Sequence, residues 1–301
     1  MRFAVYGAGA VGCYFGGMLA RAGHDVVLIG RSRHAAAISR RGLRFQAATF
    51  DEIVHAQAST DIAAAALADV VFVCTKSTGT AEAAKALSQV LSCDARVVSL
   101  QNGIENASRL RQQLSQPVIA AAVYVAAEMA NDGHVLHHGR GDLVLEDCPG
   151  ARSLAATLRQ ADIPVELSLD VQRALWQKLT LNCAYNAISA ITMQSLDLMP
   201  ERDALRDTMR DVVAECFAVA AAENVIVGDD VEDFVQHIEH TIPSGQLSST
   251  AQDLGRGKTS EIEYLNGTVL RRGTEYGIPT PANRMLYTLV KMLEAKAAVG
   301  D

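Results

Sequence analysis

Short apolar runs alternate with stretches of helical periodicity up to about residue 167. Phe3–Tyr6, Val26–Ile29, Val70–Cys74 and Val97–Leu100 are nearly continuous apolar runs, the pattern of parallel strands buried on both faces. An Ala-rich helical stretch covers 80–91 between the last two. This alternation predicts an α/β doubly wound sheet. The next runs, Val118–Val125, Val135–His138 and Leu143–Glu146, are separated by turn signals at Asn131-Asp132-Gly133 and Gly139–Gly141 and predict antiparallel strands. Pro164-Val165-Glu166-Leu167 is the last such run. From 170 onward the pattern is helical, with breaks near Pro200, Gly228, Pro243-Ser244-Gly245, Gly255–Gly257 and Gly277–Pro281. The change of character predicts two domains, an α/β domain over 1–168 and an all-helical domain over 169–301.

The first turn carries the most specific local signal. Gly7, Gly9 and Gly12 have the spacing GxGxxG, with the strand Phe3–Tyr6 before them, a helix after them and the strand Val26–Ile29 beyond. That context is the strand–turn–helix unit of a Rossmann-type dinucleotide site. Gly7 serves the tight turn, Gly9 the approach of a pyrophosphate, and Gly12 the close packing of helix on strand. The helix N-terminus offers unpaired N–H groups and a positive dipole end. Gly7, Ala8, Gly9, Ala10, Val11 and Gly12 are therefore the candidate cofactor-binding residues. The end of the second strand reads Gly30-Arg31-Ser32-Arg33, without the acid that would hold a ribose 2′-hydroxyl. A guanidinium suits a 2′-phosphate, so Arg31 points to NADP(H). The bland alternative is a pair of solvated loop arginines.

Composition narrows the class. The chain has 301 residues, 49% hydrophobic and 20% charged, with a net charge of −7. This describes a soluble globular protein and argues against general nucleic-acid binding. Residues 3–20 carry no charge, but the five glycines there make a poor membrane helix, and cleavage as a signal would remove the phosphate loop. The six cysteines are scattered without CxxC or ligand spacing, as in a reduced, cytoplasmic protein with no metal site.

Three further segments carry chemistry. Thr75-Lys76 and Gln101-Asn102-Gly103 end two of the predicted parallel strands, where doubly wound folds bind ligands. Lys76 precedes a helix, a poor place for a cation unless an anion partners it. Asn102-Gly103 reads equally as a plain turn. Lys178, Asn182 and Asn186, four apart, form one polar stripe on an otherwise apolar helix. Such a stripe faces either water or, if buried, a polar partner. Ser249 and Asp253 are one helical turn apart, and Ser260 and Glu263 have capping-box spacing, with Glu261 in the first turn.

Taken together, GAGAVG, Arg31, Cys74-Thr75-Lys76, Gln101-Asn102-Gly103, Trp176-x-Lys178-Leu179-x-x-Asn182-x-x-x-Asn186, Ser249-x-x-Gln252-Asp253 and Glu261-Ile-Glu-Tyr-Leu-Asn-Gly resemble the ketopantoate reductase family, essentially end to end. The resemblance implies a Rossmann domain followed by an all-helical domain like that of 6-phosphogluconate dehydrogenases. It implies reduction of 2-dehydropantoate to (R)-pantoate with NADPH, on the way to coenzyme A. Carried onto this chain, Lys178 matches the catalytic lysine and Glu261 its paired glutamate. Lys76 and Asn102 match groups beside nicotinamide and substrate, and Asn182, Asn186 and Ser249 match substrate-pocket positions. Gln246 and Leu196 depart from the polar residues that pantoate-forming members place there. Another 2-oxo acid, a β-hydroxyacid dehydrogenase, or a non-catalytic NADP(H) sensor stand as alternatives. The expected partners are a small-molecule 2-oxo acid and, through the helical domain, a second copy of the chain as a homodimer.

Overall fold

The computed structural model describes residues 1–199, 202–242 and 244–299. The chain divides into two compact units, Met1–Val171 and Gln172–Asp301.

The first unit runs β1 (Arg2–Tyr6), α1 (Ala10–Arg21), β2 (Asp25–Ile29), α2 (Ser32–Arg41), β3 (Leu43–Ala47), β4 (Phe50–Val54), β5 (Gln57–Ser59), β6 (Val70–Val73), α3 (Thr80–Ser88), β7 (Arg96–Ser99), α4 (Asn106–Arg111), β8 (Val118–Asn131), β9 (His134–Glu146), α5 (Ala151–Gln160) and β10 (Val165–Ser168). The parallel strands lie in the order β5-β2-β1-β6-β7-β8, which is the Rossmann-type doubly wound order. Their runs are apolar because helices cover both faces; Val70–Val73 is buried at every position.

The sheet continues past β8. β9 runs antiparallel to β8, and β3 and β10 pair with β9 in parallel along its first and last residues. β4 closes this edge antiparallel to β3. α1 is enclosed by the curved sheet, buried from Gly12 to Leu19. A Cβ built on Gly16 would lie 2.5 Å from Leu28 of β2, and one on Gly17 would lie 2.8 Å from Phe45 of β3. The glycine-rich face of α1 is thus a packing device on both sides.

Two sequence readings change here. Val135–His138 and Leu143–Glu146 are one strand, and Gly139–Gly141 is a bulge within it, not a turn. The register with β8 slips between Tyr124 and Val125 and again between Ala126 and Ala127. Arg140 takes φ 56° at this bulge, its guanidinium over the Tyr124 ring at 4.2 Å and paired to Asp142 at 2.7 Å. The β3–β4 hairpin and β5 were not legible. In β3 the buried Leu43 and Phe45 alternate with the charged Arg44 over only five residues. The Asn131–Gly133 turn does form, with Gly133 at φ 76°.

The second unit is helical: α6 (Val171–Thr192), α7 (Arg202–Ala222), α8 (Val231–Thr241), α9 (Ser249–Gly255), α10 (Asn266–Tyr276) and α11 (Pro281–Val299). Gly277 ends α10 in the left-handed conformation at φ 70°, and Pro281 opens α11 at the position where a missing N–H costs nothing. Glu215 of α7 accepts from the Ala282 and Asn283 amides at 2.7 and 2.9 Å, completing that helix start. Pro200 and Pro243 themselves lie outside the described residues, but α8 ends at Thr241 and α9 begins at Ser249, with Ser244 and Gly245 in a turn between them. Among the described residues no helix is long and apolar enough to cross a membrane.

Candidate functional site

In the first unit the candidate residues gather at the carboxyl ends of four adjacent parallel strands, β2, β1, β6 and β7. The glycine loop leaves β1. Gly7 and Ala8 both donate their amides to the Ile29 carbonyl at 3.0 Å, and Gly9 donates to Gly7 O at 2.8 Å. Gly7 sits at φ 108°, where a side chain would also strike the Thr75 amide at 2.6 Å. A Cβ on Gly12 would stand 2.3 Å from Gly7 O and 2.7 Å from Val5, so only glycine lets α1 start this close to β1. Gly9, by contrast, is exposed and has open space around its Cβ position. α1 starts at Ala10 and Val11 with no side-chain cap on its first amides.

Arg31 follows β2 by two residues, is exposed, and is the N-cap of α2. Its neighbour Arg33 pairs with Asp132 at 3.0 Å. Among the described residues no acid pairs with Arg31.

A buried polar network ties the segment after β6 to the segment after β7. Gln101 Nε2 donates to Thr80 Oγ1 at 2.8 Å and to Thr75 O at 3.1 Å. Thr80 donates to Asn106 Oδ1 at 2.8 Å, and Asn106 Nδ2 donates to Asn102 O at 2.6 Å and Ser77 Oγ at 3.1 Å. Ser77 also donates to Asn102 O at 2.8 Å. Ser77, Thr80, Gln101 and Asn106 are all buried. They fix the backbone that carries the exposed Lys76 and the half-buried Asn102. Thr80 and Asn106 escaped the sequence reading because an isolated Thr or Asn in a helical stretch carries no spacing signal.

Behind the glycine loop His34 joins three elements. Its Nδ1 accepts the Gly133 amide at 2.9 Å, which puts the proton on Nε2, 3.2 Å from Cys13 Sγ. Burial lowers the His34 pKa, with Asp132 opposing, and burial raises that of Cys13 to about 12. Both are therefore neutral packing and hydrogen-bonding groups.

In the second unit α6 carries the polar stripe. Trp176, fully buried, anchors the helix through Nε1 to Glu223 at 3.3 Å. Lys178 is half-buried, while Asn182 and Asn186 are buried. The solvated alternative for the asparagines is thereby removed. Asn186 Nδ2 lies 3.4 Å from Ser249 Oγ, so α6 and the start of α9 bring these two candidates together. Ser249 itself is exposed. Its neighbour Ser248 caps α9 by accepting the Ala251 amide at 3.1 Å and donates to Asn186 O at 3.0 Å. Ser189 Oγ accepts the Ser248 amide at 3.2 Å, and Tyr185 donates to Gln246 O at 2.5 Å. Leu196 is buried in a short 3-10 turn.

Glu261 is half-buried at the N-cap of a single 3-10 turn, Ile262–Tyr264. The capping box expected of Ser260 and Glu263 does not form, because no α-helix starts there. The Ser260 amide goes to Glu294 at 2.8 Å, and Glu263 takes the Tyr287 hydroxyl at 2.6 Å and Arg271 at 3.2 Å. Among the described residues no group of His, Cys, Asp and Glu side chains could hold a metal ion.

Comparison with known proteins places this arrangement. The profile of Ketopantoate reductase PanE/ApbA matches residues 3–150, and that of its C-terminal part matches residues 170–294. A 2-dehydropantoate 2-reductase from Pyrococcus horikoshii is 32% identical over 98% of both chains. The crystal structure of a PanE/ApbA family ketopantoate reductase from Ralstonia eutropha JMP134 is 54% identical, covers 99% of this chain and 100% of its own, and superposes with a TM-score of 0.94. A D-mandelate dehydrogenase solved with NADH and anilino(oxo)acetate shares the fold, with a TM-score of 0.92 at 24% identity over 99% of both chains. With both halves matched in order over nearly their whole length, the chain belongs to the ketopantoate reductase family.

Proposed function

We propose that the protein is a cytoplasmic oxidoreductase that reduces 2-dehydropantoate to (R)-pantoate with NADPH, in the formation of pantothenate and coenzyme A. The observation that carries the reading is the pair of buried asparagines on the α6 stripe, Asn182 and Asn186, with Asn186 joined to Ser249, in a chain of this family.

The first unit fits a nicotinamide dinucleotide. The open space at Gly9, the uncapped start of α1 and the Gly7–Thr75 approach suit a pyrophosphate on the loop Gly7–Gly12. Arg31 would pair with a 2′-phosphate, and Lys76 and Asn102 would stand beside the reacting end. When bound, the cofactor supplies the hydride.

The chain's own residues manage charge and position. Reduction of a carbonyl builds negative charge on its oxygen, and the Lys178 ammonium would stabilise that charge and deliver the proton. Partial burial alone would favour loss of the ammonium proton, and the Glu261 carboxylate would counter that shift. Asn182, Asn186 and Ser249 would bind carboxylate and hydroxyl groups of the substrate without adding net charge. Leu196 and Gln246 favour a second reading, the same reaction on a different 2-oxo acid, because the buried Leu196 offers no polar contact. Loss of NADPH absorbance with 2-dehydropantoate, beside a panel of other 2-oxo acids, tests both. Selective turnover of 2-dehydropantoate supports the first reading. Preference for another acid supports the second, and cofactor binding without turnover of any acid overturns both.

A further inference from the structure

Glu261 stands where the chain has no regular structure of its own. Residues 256–261 form neither helix nor strand, and one 3-10 turn follows. Such a segment lacks the hydrogen-bond ladder that would hold a carboxylate in place.

Residues on either side of Glu261, Ser260 and Glu263, are nevertheless anchored to α11. Ser260 donates its amide at 2.8 Å and its hydroxyl at 2.7 Å to one oxygen of Glu294. The same hydroxyl accepts the Ile262 amide at 3.2 Å, so the links straddle Glu261. On the other side, Tyr287 donates to Glu263 at 2.6 Å, and Arg271 donates to the Glu263 carbonyl at 3.0 Å. Tyr287, Lys291 and Glu294 follow one another at helical spacing and form a single stripe of α11. Lys291 holds the second Glu294 oxygen at 2.9 Å, and the Glu294 side chain is only 10% exposed. Burial pushes the Glu294 carboxyl up, but its bonds from Lys291 and Ser260 outweigh this and keep it below the usual range. It remains an ionised acceptor, the stronger kind for an amide and a hydroxyl.

We infer that Glu294 is a positioning residue for Glu261: by holding Ser260 it fixes the segment that carries the carboxylate proposed to pair with Lys178. The inference rests on the reading of Lys178 and Glu261 as the catalytic pair. A misplaced Glu261 leaves the ammonium easier to deprotonate, so the loss must show in the pH profile and not in stability alone.

The test compares the wild type, Glu294→Ala and Glu294→Gln by the pH dependence of kcat with NADPH and the 2-oxo acid that the wild type reduces. Glu294→Ala is expected to lower kcat about tenfold to a hundredfold and to move the basic limb to lower pH, with KM for NADPH unchanged. Glu294→Gln keeps an oxygen for Ser260 and is expected to restore most of kcat and the position of the limb. A Glu294→Ala enzyme with the kcat and pH profile of the wild type overturns the inference, whatever its Tm. Should Glu294→Ala not fold, Ser260→Ala, which removes only the hydroxyl links, is read the same way: a lower kcat with a shifted limb supports the inference, and no change overturns it. A wild type that reduces no 2-oxo acid removes the catalytic reading and this inference with it. An active wild type that its variants match removes the inference alone.

Discussion

The two units position their candidate groups by different means. In the first, the glycine loop is shaped by backbone contacts within a short stretch of chain. The Gly7, Ala8 and Gly9 amides, the Ile29 carbonyl and the contact of Gly12 on Gly7 all lie inside the first thirty residues. In the second unit, side chains far apart in sequence do it. Asn186 meets Ser249 across 63 positions, Ser260 meets Glu294 across 34, and Asn266 donates to the Cys183 carbonyl across 83. A dinucleotide presents the same phosphates to every member of a fold class, and a local backbone cradle suffices. Selecting and protonating one small acid requires groups from several helices, which only tertiary packing can assemble.

Four measurements break or sharpen this contrast. The largest effect is expected at the side-chain end. Lys178→Ala removes the proposed acid and should lower kcat by about a hundredfold to ten-thousandfold, while NADPH titration gives the wild-type affinity. Retained turnover would take Lys178 out of its role.

Next comes the backbone cradle. Gly12→Ala drives a methyl into the Gly7 carbonyl and should cost roughly 1–3 kcal/mol of stability, with NADPH and NADH affinity falling together. Thermal melting and cofactor titration read the two effects. Unchanged cofactor affinity at a lowered Tm would separate the loop geometry from binding.

Arg31 is the one side chain of the first unit proposed to choose the cofactor. Arg31→Ala should weaken NADPH about tenfold to a hundredfold and NADH far less, the range of a lost charge-assisted hydrogen bond. An equal loss for both cofactors would refute a contact with the 2′-phosphate.

The smallest effect concerns His34. Burial depresses its pKa in the folded state, below the ordinary value of about 6.5. Folding therefore favours the neutral ring. Its contribution is complete above the unfolded pKa and is lost as pH falls through the lower folded value. His34→Gln keeps an acceptor for Gly133 but cannot titrate. Its Tm should fall less than that of the wild type between about pH 7 and about pH 5. Parallel acid curves for the two proteins would show that His34 is not a linked group.

The same contrast explains what could be read in advance. The parallel strands were legible because a strand buried on both faces needs an apolar run whatever packs on it, as in Val70–Val73. β3 and β4 were not, because their partners decide which alternate residues are buried, and Arg44 and Glu52 mask the pattern. Gly139–Gly141 carried a turn signal, yet β8 runs on alongside it and absorbs the glycines as a bulge. Ser260 and Glu263 had the spacing of a capping box, but Glu294 and Tyr287 took both partners.

By itself the sequence determined the doubly wound class of the first unit, the glycine loop and the stripe of Lys178, Asn182 and Asn186. These depend on φ limits, steric contact and helical spacing, which act over a few residues. Tertiary structure alone decided that Asn182 and Asn186 are buried and that Asn186 reaches Ser249. It also decided that Thr80 and Asn106 brace the ends of β6 and β7, and that α11 holds the residues on both sides of Glu261. The hydrogen bonds among these join positions with no spacing in common, and they, like the burial, exist only once apolar packing has brought the helices and strands together.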